Sequence, residues 1–215
     1  METGLYDLRW LVSNRSLLNN KGKVCRQFHS YFTQTAEFDD YILAPNAGDF
    51  VKSISYQYDP LDRLIRTDMP DGTFTKVEFT PWLQQNFDQN DTVWDSNWLI
   101  SVYPRTTYPE IANLPASEPS NAHERAVWLA VKHYDTPQVV HFDVLGRPVQ
   151  TDDDLGNNLK VTTKHTLDIE GNILTTTDAL NRVATENKYN LAGELIYTCN
   201  IDSGRRWMLN NAAGL

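Results

Sequence analysis

Short runs of alternating apolar and polar residues fill most of this chain, and clusters of turn residues close each run. In 51–58 the alternating positions are Val51, Ile54 or Ser55, Tyr56 and Tyr58, close to the two-residue period of a strand. Residues 64–67 and 73–79 read as the strands that follow, with Phe74, Val77 and Phe79 on the apolar face. Asp71-Gly72 between them is a strong hairpin signal, because Gly72 supplies a positive φ. From Gln138 onward the text is all short strands, at 139–142, 149–151, 159–167, 173–177, 183–189, 195–199 and 206–209. Turns are expected at 143–146, 152–158, 168–172, 178–181, 190–193 and 201–204. Short strands punctuated this regularly predict a mainly β, antiparallel structure.

One stretch departs from that period. Ala122, Ala126, Val127, Ala130, Val131 and Tyr134 recur at three- and four-residue steps, which predicts one short α-helix near 120–134. Ser120 is placed to cap it, and Thr136-Pro137 stops it. Pro81 to Gln85 reads as a single helical turn with proline at its first position. Residues 1–20 are ambiguous, 24–32 extended, 37–47 an acidic loop, and 104–119 irregular and rich in proline. The whole reads as one region: strands and loops over 1–116, the helix over 117–136, and hairpins over 137–215.

The hairpins repeat. Tyr58-Asp59-Pro60-Leu61-Asp62-Arg63-Leu64-Ile65 aligns with Phe142-Asp143-Val144-Leu145-Gly146-Arg147-Pro148-Val149. Leu167-Asp168-Ile169-Glu170-Gly171-Asn172 and Tyr189-Asn190-Leu191-Ala192-Gly193-Glu194 align as further copies. The turn glycines Gly146, Gly171 and Gly193 are 25 and 22 residues apart, a period that marks a repeat architecture. The repeat-defining residues are Tyr58, Asp59, Arg63, Asp71, Gly72, Asp143, Gly146, Arg147, Asp168, Gly171, Tyr189 and Gly193. The copy at 59–63 departs from the pattern at Asp62, where glycine is expected.

Charge and chemistry narrow the function classes. The formal net charge of −9 opposes tracking a phosphate backbone or an anionic membrane surface. Neither nucleic acid nor, for this chain by itself, a membrane is expected as a partner. Glu2 and Asp7 interrupt the start, which has no long apolar core of the signal-peptide kind. Cys25 and Cys199 are too few for a disulfide scaffold and read as buried free thiols.

No motif carries recognisable catalysis. His123-Glu124 opens like a zinc-protease helix, but Val127 stands where the second histidine belongs. Asp152-Asp153-Asp154-Leu155-Gly156 resembles a calcium loop with its glycine one position early, and reads as an acidic hairpin turn. There is no Gly-x-Ser-x-Gly elbow and no phosphate-cradling glycine loop. Trp82, Trp94, Trp98, Trp128 and Trp207 read as core aromatics before a sugar-binding platform. No catalytic, metal-binding or cofactor-binding residue is therefore expected.

Tyr-Asp, two residues, Gly-Arg and an apolar strand is the pattern of the YD repeat of the RHS (rearrangement hotspot) family, which these copies resemble. The segments 19–23, 63–74, 77–79, 81–82, 88–93, 136–137, 167–172 and 206–209 further resemble the shell region of the B component of insecticidal toxin complexes. The resemblance implies hairpins wound into part of a hollow β-shell, or cocoon. It implies a non-catalytic structural role: enclosing a cytotoxic cargo before delivery. It also implies partners in the remaining shell segments and the enclosed toxin polypeptide, and a secreted virulence complex as location. The alternative from a different class is a YD-repeat module on a secreted or surface protein that binds carbohydrate or protein.

Overall fold

A computed structural model describes residues 10–33, 51–102, 116–157 and 159–209. The acidic loop expected at 37–47 lies outside them, as does most of 104–119. The chain is mainly antiparallel β, as its alternation predicts. It divides into two compact units: the described residues up to Lys76 with Asp88–Val131, and Val77–Phe87 with the described residues from Lys132 onward.

In the first unit, β1 (Trp10–Val12) pairs with β4 (Tyr31–Thr33), and β2 (Ser16–Leu18) pairs with β3 (Val24–Phe28). Strand β5 (Ser53–Tyr58) lies beside β3 and pairs on its other side with β6 (Leu64–Asp68). Strand β6 pairs in turn with the start of β7 (Phe74–Phe79). Phe28 and Val51 are buried together, with Leu17 and Tyr31 packed on them.

The chain then leaves the meander. A 3-10 turn (Val93–Asp95), helix α1 (Asn97–Val102) and helix α2 (Ala122–Val131) supply four of the buried hydrophobic side chains: Val93, Leu99, Val127 and Val131. Helix α1 was not predicted; its cap is Ser96, whose Oγ accepts from Leu99 N at 3.1 Å. Helix α2 is the expected one, but its cap is Asn121 rather than Ser120, since Asn121 Oδ1 accepts from His123 N at 2.9 Å. Its buried stripe is Val127 and Val131, while Ala122 and Ala126 face out.

The second unit runs β8 (Leu83–Phe87), β9 (Gln138–Phe142), β10 (Pro148–Asp154), β11 (Lys160–Leu167), β12 (Ile173–Thr177), β13 (Val183–Tyr189), β14 (Leu195–Asn200) and β15 (Gly204–Trp207). Each pairs antiparallel with the next. Pro81 does not start a helical turn. Thr80 Oγ1 accepts from Leu83 N at 2.9 Å, which turns the chain and launches β8. The acidic run Asp152-Asp153-Asp154 is strand rather than turn, facing Thr162, Val161 and Lys160 across β11. Phe87 and Tyr197 are the buried hydrophobic residues of this unit among those described. Trp82 and Trp207, expected in the core, are more than half exposed, though Trp207 leans on Tyr197 with ring centroids 4.5 Å apart. Cys25 and Cys199 are free thiols, half-buried rather than buried.

Gly72 shows how tightly a corner can be held. Its φ is +87°, its carbonyl accepts from Trp98 N at 3.2 Å, and a Cβ there would lie 2.9 Å from that same nitrogen. Gly72→Ala should therefore destabilise the chain by about 1–3 kcal/mol in chemical denaturation. Unchanged stability would contradict the contact with α1.

Candidate functional site

The feature that recurs is a five-residue corner between paired strands. The first residue's N–H donates to the fifth residue's carbonyl, and the fourth residue's N–H donates back to the first residue's carbonyl. The bonds are 2.9 and 3.0 Å at 59–63, 2.9 and 3.0 Å at 143–147, and 2.9 and 2.9 Å at 178–182. The same backbone pattern closes 19–23, 69–73, 168–172 and 190–194. The fourth position lies in the left-handed region at every one of them. Most corners place glycine there; Asp62 (φ 64°) and Asn181 (φ 59°) are residue types that tolerate it. The departure at Asp62 therefore costs the corner little. Beside most corners the register slips, as a bulge does next to such a turn. Asp71-Gly72 is such a corner too, not a two-residue hairpin.

The repeat residues have distinct jobs in this loop. Asp59 Oδ1 accepts from the N–H groups of Leu61 and Arg63, both at 2.9 Å, while Arg63 Nε donates to Oδ2 at 2.7 Å. Asp143 does the same with Leu145 and Arg147 at 2.9, 2.9 and 2.7 Å. Asp178 repeats it with Leu180 and Arg182, all at 2.9 Å. At 168–172 the arginine is replaced by Asn172, which donates from N at 2.8 Å and Nδ2 at 2.9 Å. At 190–194 the polarity is inverted. Asn190 Oδ1 takes the N–H groups of Ala192 and Glu194 at 2.9 Å, and its Nδ2 donates to Glu194 Oε2 at 2.8 Å. Asn19 Oδ1 also accepts from Lys21 and Lys23. The full copy at 178–182 escaped the sequence alignment because Asn181 replaces glycine; Asp178 and Arg182 four residues apart were the available signal.

Neighbouring corners on one sheet edge are bonded to each other. Arg147 Nη1 donates to Asp168 O at 3.0 Å. Lys23 Nζ donates to Asp62 O at 2.6 Å, and Lys21 Nζ pairs with Asp62 Oδ1 at 3.0 Å. The repeat tyrosine adds a further tie. Tyr58 OH donates to Val24 O at 2.9 Å, and Tyr189 OH donates to Ile173 O at 3.2 Å. Val24 and Ile173 each directly follow a preceding corner, so the two bonds are the same bond in two copies. Leu167 occupies the matching position before the corner at 168–172 and has no hydroxyl to donate.

The carboxylates of these corners are held in the charged form. At Asp143 and Asp178 the N–H groups of Arg147 and Arg182 lower the pKa first, and their guanidinium groups add to it. At Asp168 the Asn172 side chain is the leading cause. At Asp59 loss of water is the largest effect and raises the pKa, but Arg63 and Leu61 together outweigh it. Away from the corners, Asp152 is also lowered. Desolvation raises it, yet Thr162, Gln150 and His141 win, with Thr162 Oγ1 and His141 Nε2 each 2.7 Å from the carboxylate.

Among the described residues no group of three or more His, Cys, Asp or Glu side chains is arranged to hold a metal ion. His123 and Glu124 lie on α2, where Val127 points into the core. A polar depression of about 250 Å³ is lined by Gln150, Thr162, Lys164, Asp178, Ala179 and Asn181, with no histidine or thiol beside the threonine. No described helix is long and apolar enough to cross a membrane.

Comparison with known proteins bears on the fold. No protein-family model and no curated protein matches the chain. Solved structures do. A Photorhabdus luminescens Tc holotoxin pore matches over 96% of this chain at 24% identity with a TM-score of 0.75. The crystal structure of TcdB2-TccC3 matches over the same share at 23% identity and a TM-score of 0.71. So does TcdB2-TccC3 without its hypervariable C-terminal region, so the matching segment lies outside that region. The chain has the fold of a segment of the Tc holotoxin. It spans 9% of the length of each of those chains.

Two outcomes test the corner chemistry. Tyr58→Phe and Tyr189→Phe should each cost about 0.5–1.5 kcal/mol in denaturant unfolding, and Leu167→Tyr should gain a similar amount. No gain from the tyrosine would show that its hydroxyl is not the tie. The second outcome concerns pH. The folded pKa values of Asp59, Asp143, Asp168 and Asp178 lie below the unfolded value of about 3.9. Their contribution is therefore complete above that value and fades as pH falls through the folded values. Asp143→Asn keeps the N–H acceptor and loses the charge. Its deficit in thermal midpoint against the wild type should be visible at neutral pH and shrink below about pH 4; a deficit independent of pH would refute the charge-based account.

Proposed function

We propose that this chain is a non-catalytic wall segment of an RHS-repeat toxin-complex shell that encloses a cytotoxic polypeptide before delivery. The observation that carries the reading is the match over 96% of the chain, at TM-scores from 0.71 to 0.75, to Tc holotoxin structures. The chemistry of the corners agrees with it. The repeat aspartates are engaged by backbone N–H groups and arginines within their own loops, a structural task that leaves them no free carboxylate for acid–base work. The mechanism is enclosure: strands paired in long succession leave no backbone gap for water or protease. The partners are the remaining shell segments and the enclosed toxin polypeptide, and the working location is outside the producing cell.

The test is protease protection. Assembled with the shell and cargo segments of its own toxin complex, the chain should keep the cargo polypeptide intact under limited proteolysis. Deleting this segment should expose the cargo on the time scale over which the intact assembly resists. Equal digestion of both assemblies would overturn the reading.

A further inference from the structure

The sheet of the second unit has two faces of different chemistry. Residues opposite one another across the ladder share a face, so the register sorts them. One face runs through Val140, Thr151 and Thr163, and beside these through His165, Thr176, Thr185 and Asn200. Its polar groups are amides and hydroxyls bonded to each other. Gln84 Nε2 donates to Asn86 Oδ1 at 2.7 Å, Asn86 Nδ2 to Gln138 Oε1 at 3.3 Å, and Gln138 Nε2 to Asp153 Oδ1 at 2.7 Å. Asn200 Nδ2 donates to Thr185 Oγ1 at 3.0 Å, and His165 Nδ1 lies 3.1 Å from Thr176 Oγ1. From β8 to β14, Asp153 is the one carboxylate that the register puts on this face among the described residues, and no lysine or arginine joins it. The reverse face collects the charge. It runs through Asp152 and Thr162, through Gln150 and Lys164, and through Thr166, Thr175 and Glu186. Asp154, Lys160 and Lys188 stand on it too. Its lysine pairs are long, 3.8 Å from Lys160 to Asp154 and 3.6 Å from Lys188 to Glu186, and both lysine side chains are more than half exposed.

We infer that the amide and hydroxyl face is the one turned toward the enclosed polypeptide, and that the charged face meets the surrounding water. The assignment rests on the enclosure reading above. A polypeptide packed into a closed space displaces water from the wall it faces. A charge on that wall loses hydration and has no fixed counter-charge in the cargo. Amides and hydroxyls already bonded to one another lose far less, because their partners stay with them. Long, half-exposed ion pairs are the kind that water sustains. The same distribution suits release. Charges of both signs along the wall would hold cargo residues of the opposite sign, and the bonded face offers only Asp153, which Gln138 already engages.

Adjacent threonines on one strand point to opposite faces, which makes thiol labelling of the assembled shell and cargo a direct test. The background is freed of other cysteines, Cys25→Ser and Cys199→Ser included. Thr162→Cys and Thr175→Cys then mark the charged face, and Thr163→Cys and Thr176→Cys the bonded one. All four threonines are half-buried, so local crowding is alike. The reagent is a maleimide on a polyethylene glycol chain too bulky to pass the wall. Thr162→Cys and Thr175→Cys should be modified to completion. Over the same time Thr163→Cys and Thr176→Cys should stay free, and they should react once denaturant opens the assembly. The reverse pattern would overturn the face assignment and leave enclosure standing. Modification of all four in the native assembly would overturn both, because the wall would then be open. Protection of all four would overturn the assignment, because neither face would meet water. If a threonine variant fails to assemble, Asn187→Cys and Lys188→Cys on β13 mark the bonded and the charged face in the same way.

Discussion

Most of the hairpin region depends on one interaction: at 19–23, 59–63, 143–147, 178–182 and 190–194 the side-chain oxygen at the first position of the corner accepts the N–H groups of the third and fifth. A five-residue loop turns two of its backbone donors inward, away from the strand ladder. Left unpaired, each would destabilise the turn by about 1–3 kcal/mol. An aspartate or asparagine at the head of the loop captures both, and the arginine at its end closes around the second carboxylate oxygen. The left-handed fourth residue makes the geometry possible.

The second unit leans on this interaction because it has so little else. Phe87 and Tyr197 are its buried hydrophobic residues among those described. Most residues along its strands are half-buried, and threonines are frequent from β10 to β13. A sheet of this kind is held by its hydrogen-bond ladder, by its corners and by ties between corners. Arg147 reaches the next corner's carbonyl, and the tyrosine hydroxyls of Tyr58 and Tyr189 reach back across one strand to the carbonyl that follows the preceding corner. The tyrosine of the repeat is therefore a fastener between hairpins, and the aspartate is a fastener within one. The first unit is built differently: its insertion from Asp88 to Val131 supplies a core of Val93, Leu99, Val127 and Val131.

Much of the strand order was legible in the alternation, since a half-buried antiparallel strand imposes a period of two. Misreadings fell where a side chain competes with that period. Thr80 turned the chain at a place where proline suggested a helix, and Ser96 capped a helix whose length is too short to show periodicity. Asp152 sits in β10 with its carboxylate bonded to Thr162 and His141 on the two flanking strands and to Gln150 on its own, and the cross-strand partners show in no local signal. The turn at 178–181 was legible, but its kinship with the repeat was hidden by Asn181, although asparagine is the other residue at ease in the left-handed region.

The sequence by itself determined the corners, because every group that makes one lies within five consecutive residues. Aspartate or asparagine, a left-handed residue three positions on, and a donor or acceptor after it make most of them; at 69–73 the acceptor is Asp71, which takes the N–H of Thr73. Only the tertiary structure decided what the corners connect to. That Tyr58 meets Val24, that Gly72 lies against Trp98, and that Arg147 meets Asp168 follow from strand pairing that brings distant residues together. Local hydrogen bonding is encoded in spacing. Contact between hairpins depends on the register of the ladder, which is fixed only when all the strands are in place.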